Sequence, residues 1–430
     1  MPLPFGVMGR GFGRMGAARM RNGRPLWMAG FDLGWDFARN FTFSAPIPTD
    51  THAGTIYVQD STGLYLPKTA NVLCRSDVGL QTVPTRTNSL TRSQTIDNAT
   101  WTKSNGAVSA DAATAPDGTS TADLFTPNTT TGVHRINQTF TASVATFAPD
   151  IYAKPNGYTK VYIRESGITG SYAAFDLTGA GSVLDQGSGG SGASIVAVAN
   201  GFYRISMNYT GTAASHVMTY GVLPASYTTG APTGTWTPDG TSGVYFWQGE
   251  AEVGTYPVPP IVTTSTAATI AGNQPLADLT GRLGTGLAGI WSGNIIAPYV
   301  AGARVFEVND GSASNSVSLY GSGGNLVLEM FAGGVSQGSI SLGTWATGLQ
   351  TIAFAAGDNF IQARKVSGSA NTADTAATYP ALTKANFGGQ GFQATNNNYQ
   401  RTAKAALRAG AVDQTVFDAI YAQAQIAADA

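Results

Sequence analysis

Polar and apolar side chains alternate along much of this chain with a period of two. Tyr158–Arg164 and Tyr203–Tyr209 both read as polar and apolar residues in turn, the pattern of a strand with one buried face. Runs of this length recur, punctuated by turn signals such as Pro116-Asp117-Gly118 and Pro238-Asp239-Gly240. Gly54–Val58 and Gly63–Leu66 are further short candidates, and Asn325–Phe331 and Gln350–Phe354 are clear ones. The rule breaks only at the end. Asp413 stands as an N-cap, and Val416, Phe417, Ile420 and Tyr421 share one helical face. The pattern predicts an all-β protein of two antiparallel β-sandwich (jelly-roll) domains in tandem, with an extended N-terminal arm and a short C-terminal helix.

Local composition divides the chain into five parts. Residues 1–45 are rich in Gly, Arg and aromatics, including Trp27, Phe31, Trp35, Phe37, Phe41 and Phe43. Glycine at that density opposes independent folding, whereas aromatics at that density are foreign to a free tail. The segment is therefore expected to order against something else, either another protein or the chain's own next domain. Residues 46–85 form a small β-rich connector, and 86–256 carry the first sandwich. Residues 257–274, with Pro257-Val258-Pro259-Pro260 at their start, are expected to be an extended linker, because proline removes ladder donors. Residues 275–430 return to strands and end in the helix.

The chain's 430 residues and 43% hydrophobic content suffice for more than one core. Only 11% of residues are charged, against about 25% in an average domain, so Thr, Ser, Asn and Gly must supply the polar surface. A net charge of −1 offers no field for nucleic acid. The exception is local: Arg10, Arg14, Arg19, Arg21 and Arg24 all precede the first acidic residue, Asp32. They are either a solvated tail or a basic segment that docks on an acidic partner. No apolar run is long enough for membrane insertion, and the glycine-broken N-terminus lacks the apolar core of a secretion signal. Cys74 is the sole cysteine and cannot form an intrachain disulfide.

Several strings, in order, resemble a module of tailed-phage structural proteins. Pro84-Thr85-Arg86-Thr87-Asn88-Ser89-Leu90 and Asp97-Asn98-Ala99-Thr100-Trp101-Thr102-Lys103 resemble the opening of its carbohydrate-binding-module-like jelly roll. Thr114–Asp123 and Gly201-Phe202-Tyr203-Arg204-Ile205 follow, and Phe246–Gly254 resembles its closing "Q-x-E-x-G" stretch. The C-terminal third, with Asn386-Phe387-Gly388-Gly389 and the final strand Ala405–Gly410, is similar to concanavalin A-like lectin sandwiches. The resemblance implies a tail fibre or head spike on the surface of a bacteriophage or gene transfer particle. Its implied partners are other virion proteins and host cell-surface polysaccharide, and its implied assembly is a homo-oligomer, trimeric or pentameric. The arm, through Arg10, Arg14, Arg19, Arg21, Arg24, Trp27 and Trp35, would anchor it in the particle.

Sugar recognition uses aromatic faces beside amides and carboxylates. Trp101, Trp236, Tyr245 and Trp247 in the first sandwich, and Trp345, Asn396, Asn397, Asn398 and Tyr399 in the second, are the candidates. Three consecutive amides are unsuited to a core, which favours the Asn396–Asn398 loop. Trp291 is a further candidate. No catalytic set stands out: Glu250 and Glu252 share a strand face at a spacing glycosidases use, but the closing motif accounts for them without chemistry. His52, His134 and His216 are far apart in sequence, so neither a zinc site nor a Ser-His-Asp relay is expected. No cofactor is expected beyond a structural Ca2+ at Asp117 and Asp123, for which an ordinary Asp-Gly turn is the competing account. The alternatives to a binding fibre or spike are a capsule depolymerase and an architectural spacer.

Overall fold

The computed structural model describes residues 20–21, 24–212, 214–368, 371–373, 376–389 and 398–429. Strands dominate, all pairing in the named sheets is antiparallel, and a helix at Gln414–Asp429 closes the chain. In the first sandwich, one sheet runs in the order Thr102–Ser104, His134–Thr141, Ser215–Leu223, Lys160–Glu165, Tyr172–Asp176, Ser182–Gln186. The opposing sheet runs Gly106–Ala113, Ala122–Pro127, Gly243–Val253, Thr146–Asn156, Tyr203–Thr210, Gly190–Ala197. Between them lies a core that includes Trp101, Phe125, Phe147, Ile151, Ile205, Met207 and Tyr220. The expected alternation holds: Ile205, Met207 and Tyr209 enter this core while Arg204, Ser206 and Asn208 leave the other face.

The second sandwich pairs a sheet built on Arg304–Asn309, Ser316–Ser322, Asn325–Ala332 and Val335–Thr344 with one centred on Gly286–Ile295. That central strand is flanked by Gly348–Gly357, paired over ten residues, and by Gln400–Ala409, paired over nine with a bulge at Ser292/Gly293. The helix begins at the expected cap, where the Val416 N–H donates to Asp413 Oδ1 at 2.8 Å. At its other end Lys404 Nζ donates to the Ala427 carbonyl at 2.7 Å.

Two expectations about the connecting segments need correction, and the connector gains a position. The aromatic half of the supposed arm is part of the last domain. Leu33–Asp36 pairs with Gln400–Ala409, and Phe41–Phe43 pairs with Leu33–Asp36, so the N-terminal chain covers what would be a bare sheet edge. Trp27 and Trp35 are therefore not free to anchor the protein elsewhere. Trp27, Met28 and Phe31 are buried with Phe417, Ile420 and Ala424 beneath the helix, and Trp35 is wholly buried in the sandwich core. Arg10, Arg14 and Arg19, and the side chains of Arg21 and Arg24, lie outside the described residues.

The stretch 257–274 is not a free linker either. Val258 and Ile261 are buried, and Ala268–Ile270 pairs with Arg86–Asn88. The connector, finally, is a wedge between the sandwiches. Its hairpin, Ile56–Gln59 with Tyr65–Lys68, touches both. Tyr65 N–H donates to the Pro116 carbonyl (2.9 Å), and Ala199 N–H donates to the Gly63 carbonyl (3.2 Å) in the first sandwich. Arg401 Nη2 donates to Gln59 Oε1 at 2.9 Å from the second. Ile56, Val58, Cys74, Val83, Val258, Ile261, Ile270, Ala297 and Tyr399 form a separate apolar cluster at this junction.

Candidate functional site

Because side chains alternate along a strand, the outward residues of two neighbouring strands make a continuous wall. Ser194 stands opposite Ser206 and Val196 opposite Arg204, with Asn208 further along the same face. The wall is met by Asn294, Ile296, Tyr399 and Arg401 from the second sandwich, where Asn294 and Arg401 are direct strand partners. Gln59 and Tyr65 of the connector and Thr255–Pro257 of the linker complete the lining. The result is a cleft of about 410 Å³ between the sandwiches. Tyr256 and Tyr399 lie nearly parallel across it, centroids 6.3 Å apart, and the Arg86 guanidinium sits 5.0 Å above the Tyr256 ring. Asn208 Nδ2 donates to the Thr255 carbonyl at 2.8 Å, which fixes the linker's path along the rim.

The residues expected to hold sugar fare unevenly. Trp101, Trp247 and Trp345 are corrections, as is Trp291: all are buried, and Trp101 Nε1 and Trp345 Nε1 donate to backbone carbonyls of Arg92 and Ala297. A ring packed on both faces cannot stack on a sugar. Asn398 is buried, with its Nδ2 donating to Gln400 Oε1 at 3.0 Å, so the preferred amide is internal; Asn396 and Asn397 lie outside the described residues. Trp236 and Tyr245 keep partial exposure but pack in different clusters. Trp236 lies edge-on to His134 and Tyr158, and Tyr245 lies 5.9 Å from Lys154 Nζ. Tyr399 alone of the expected set reaches the cleft, and it is 6% exposed. Arg204, Arg401, Asn208, Asn294 and Tyr256 were missed as site residues. For Arg204 and Asn208, the signal was a polar side chain alternating with apolar ones on a strand whose outer face is then covered.

Under the cleft's Arg204 lies a buried ionic group. Asp150, Glu250 and Glu252 are each 0% exposed, and Asp150 and Glu250 are cross-strand partners. Arg204 Nε donates to Asp150 Oδ2 at 2.6 Å, and Arg204 also holds the Val258 carbonyl. Burial, then the negative charge of Asp150, pushes the Glu250 and Glu252 carboxyls well above the usual range. The linker closes over this pair, so Glu250 and Glu252 cannot flank a glycosidic bond.

Asp50, His52 and Cys74 also meet, all buried, with Cys74 Sγ 3.6 Å from His52 Nε2. Sequence separation had hidden this. Burial, then the Asp50 charge, pushes the Cys74 thiol up, so it stays protonated, and His52 Nε2 lies 3.1 Å from the Val72 carbonyl. A protonated, enclosed thiol is not a nucleophile. The pair expected for calcium is committed elsewhere. Asp123 accepts N–H groups from Ile96, Asp97 and Asp111, and Asp117 Oδ1 caps its own turn through Thr119. Both carboxylates hold backbone N–H groups in place.

Fold and site together define a tandem β-sandwich protein with a mixed polar and aromatic cleft at the domain junction. No family model matches the chain, and no curated protein matches it. Among solved structures, the NanB sialidase from Streptococcus pneumoniae is 14% identical, with 33% of this chain and 25% of that chain covered and a TM-score of 0.26. The chain thus spans a quarter of that sialidase. The N-terminal CBM22-1-CBM22-2 tandem domain of Paenibacillus barcinonensis Xyn10C is 10% identical, with 75% and 98% covered and a TM-score of 0.24. Domains LG4-5 of the mouse laminin alpha1 chain are 10% identical, with 65% and 85% covered and a TM-score of 0.24. Such scores are too low to carry a functional argument, and the sandwich assignment rests on the sheets themselves.

Proposed function

We propose that this protein is a glycan-binding structural component of a phage-like particle surface, holding saccharide in the cleft between its sandwiches. The observation that carries the binding part is that cleft: about 410 Å³, within the usual range for small-ligand sites, with three tyrosines, two arginines and three amides lining it. The half-buried Tyr256 ring is the aromatic surface suited to the C–H face of a sugar, and guanidinium and amide groups suit hydroxyls or an acidic sugar's carboxylate. Binding without cleavage is supported by the closure of Glu250 and Glu252, the best-spaced carboxylate pair the sequence offered. The particle assignment is supported by the ordered strings from Arg86 to Gly254, and assembly as a trimer or pentamer goes with it.

A glycan array followed by calorimetry tests the binding. Asn294→Ala is expected to weaken the best binder, and Val196→Trp, placed at a residue 54% exposed on the cleft wall, to abolish binding without unfolding the chain. Loss of one such hydrogen bond, about 0.5–1.5 kcal/mol, corresponds to about 2- to 12-fold. An array with no binder would favour an architectural spacer; reducing ends released from host capsule would favour a depolymerase. Attachment is tested by deleting residues 1–23 alone, since Leu33–Asp36 belongs to the last domain's sheet. Undiminished incorporation of that variant would remove the anchoring role.

A further inference from the structure

The three carboxylates beneath Arg204 are arranged in a way that their own hydrogen bonds do not explain. Glu250 spends Oε1 on the Ile261 N–H (2.5 Å) and on Gln248 Nε2 (2.8 Å). Glu252 spends Oε2 on the Val258 N–H (3.2 Å), and Asp150 spends Oδ2 on Arg204. Each is left with one buried oxygen that accepts from no N–H or hydroxyl of the chain, Asp150 Oδ1, Glu250 Oε2 and Glu252 Oε1, with Asp150 and Glu250 near enough to share a proton. Arg204 Nη2 stands off from Glu250 Oε2 at 4.0 Å. A buried carboxylate oxygen without a donor is costly, and three in one place are not an accident of packing.

The geometry points to a divalent cation, Ca2+ by its chemistry, held between Asp150, Glu250 and Glu252 at the junction of the first sandwich with the linker. One ligand oxygen from each residue lies within 4.8 Å of the others. Oxygens on a shell of radius about 2.3–2.6 Å can be at most about twice that radius apart, so a single ion can touch all three. Charge agrees once the ion displaces the protons that burial favours on these groups: three ionised carboxylates against one guanidinium carry two negative charges, which a divalent ion cancels. All-oxygen ligation selects a hard cation, and an enclosed, irregular set suits Ca2+ better than Mg2+, which retains several waters in an octahedron. The strand geometry serves the same end. A bulge in Gly243–Val253, where Gln248 takes a φ of +55°, restores register at Glu250 opposite Asp150 and brings Gln248 onto its carboxylate. Since the same carboxylates hold the Val258 and Ile261 amides, the ion would clamp the linker to the sandwich.

The test uses the full chain stripped with chelator. Dialysis against CaCl2 with elemental analysis is expected to give one ion per chain, and Ca2+ is expected to raise the thermal midpoint more than Mg2+ does. Glu250→Gln with Asp150→Asn removes two ligands while keeping side-chain shape, and should lose the bound ion and the Ca2+-dependent rise; Asp117→Asn should keep both. Should the double variant fail to fold, Glu252→Gln alone is expected to weaken Ca2+ binding by at least about tenfold. A native chain that binds no Ca2+ overturns the proposal, since protons would then balance the charge. Binding that survives in the folded variants overturns it equally, because the ion would lie elsewhere.

Discussion

Replacing Trp35 by alanine separates an anchoring segment from an integral strand. Trp35 is 0% exposed, lies edge-on to Phe387 with centroids 5.3 Å apart, and donates its indole N–H to the Pro46 carbonyl at 2.8 Å. A buried Trp removes about 150–250 Å² from water, and at about 25 cal/mol per Å² this corresponds to roughly 4–6 kcal/mol. Measured Trp→Ala changes in cores run at about 3–5 kcal/mol, the neighbours relaxing into part of the cavity. We expect about 4 kcal/mol. For a domain of this size, that lowers the midpoint of the second sandwich by roughly 8–16 °C. Differential scanning calorimetry is the assay, because the two sandwiches need not melt together and a single fitted midpoint could mislead. A tail that orders only on a particle would contribute nothing in the free protein. A loss below about 0.5 kcal/mol, the scale of a surface substitution, would therefore refute the integral-strand account.

The other predictions address the junction and the helix. Cys74 should resist alkylation in the native chain at pH 8 and react on unfolding, because its buried thiol is held protonated; rapid native labelling would contradict that. Gly79→Ala should destabilise by about 1–3 kcal/mol in a denaturant melt, since its φ is +125° and a Cβ would stand 2.6 Å from the Thr402 carbonyl oxygen; a neutral result would mean that the connector is not docked as described. Ser61 donates both its N–H and its hydroxyl to Asp77, and the side-chain bond in particular holds that carboxyl below the ordinary value of 3.8. A folded-state pKa that is depressed stabilises above the unfolded value and loses that contribution as pH falls through the folded one. NMR titration of the Ser61 amide should accordingly show a midpoint below 3.8, and one above it would sink the assignment. Asp413→Ala should cost about 1 kcal/mol through the lost bond to the Val416 N–H, read as earlier fraying of the helix by circular dichroism.

What could be read from sequence was whatever depends on neighbours along the chain. Alternation in Tyr203–Tyr209 placed a strand correctly because Ile205, Met207 and Tyr209 must share a face, and Asp413 with the Phe417–Ile420 face placed the helix. What failed depends on partners far away. Nothing near Leu33 reveals that its strand pairs with Leu407, and nothing near Gln59 reveals Arg401. The aromatic candidates failed for a related reason. Trp101 and Trp247 are as able to fill a core as to present a sugar platform, and only the second layer of the fold decides which face is covered. The Asn396–Asn398 argument took three amides as one unit, whereas Asn398 had an internal partner in Gln400.

These long-range contacts explain why the cleft stands where it does. A sandwich normally offers its outer faces to water, yet the outer face of Thr146–Asn156, Tyr203–Thr210 and Gly243–Val253 carries Tyr152 and Trp247 beside three carboxylates and an arginine, all but the arginine wholly buried. Such a face can exist only if something covers it. The connector hairpin covers the aromatic part, Tyr65 meeting Tyr152 edge-on at 5.6 Å, and the linker covers the charged part through the Val258 and Ile261 amides. Neither covers Ser194 and Val196, where the wall stays open, and the second sandwich supplies the opposite side. The cleft is thus the uncovered remainder of an interdomain interface. Its shape is set by how the two covering segments dock, so loosening either one should alter ligand affinity through wall spacing before it unfolds a sandwich.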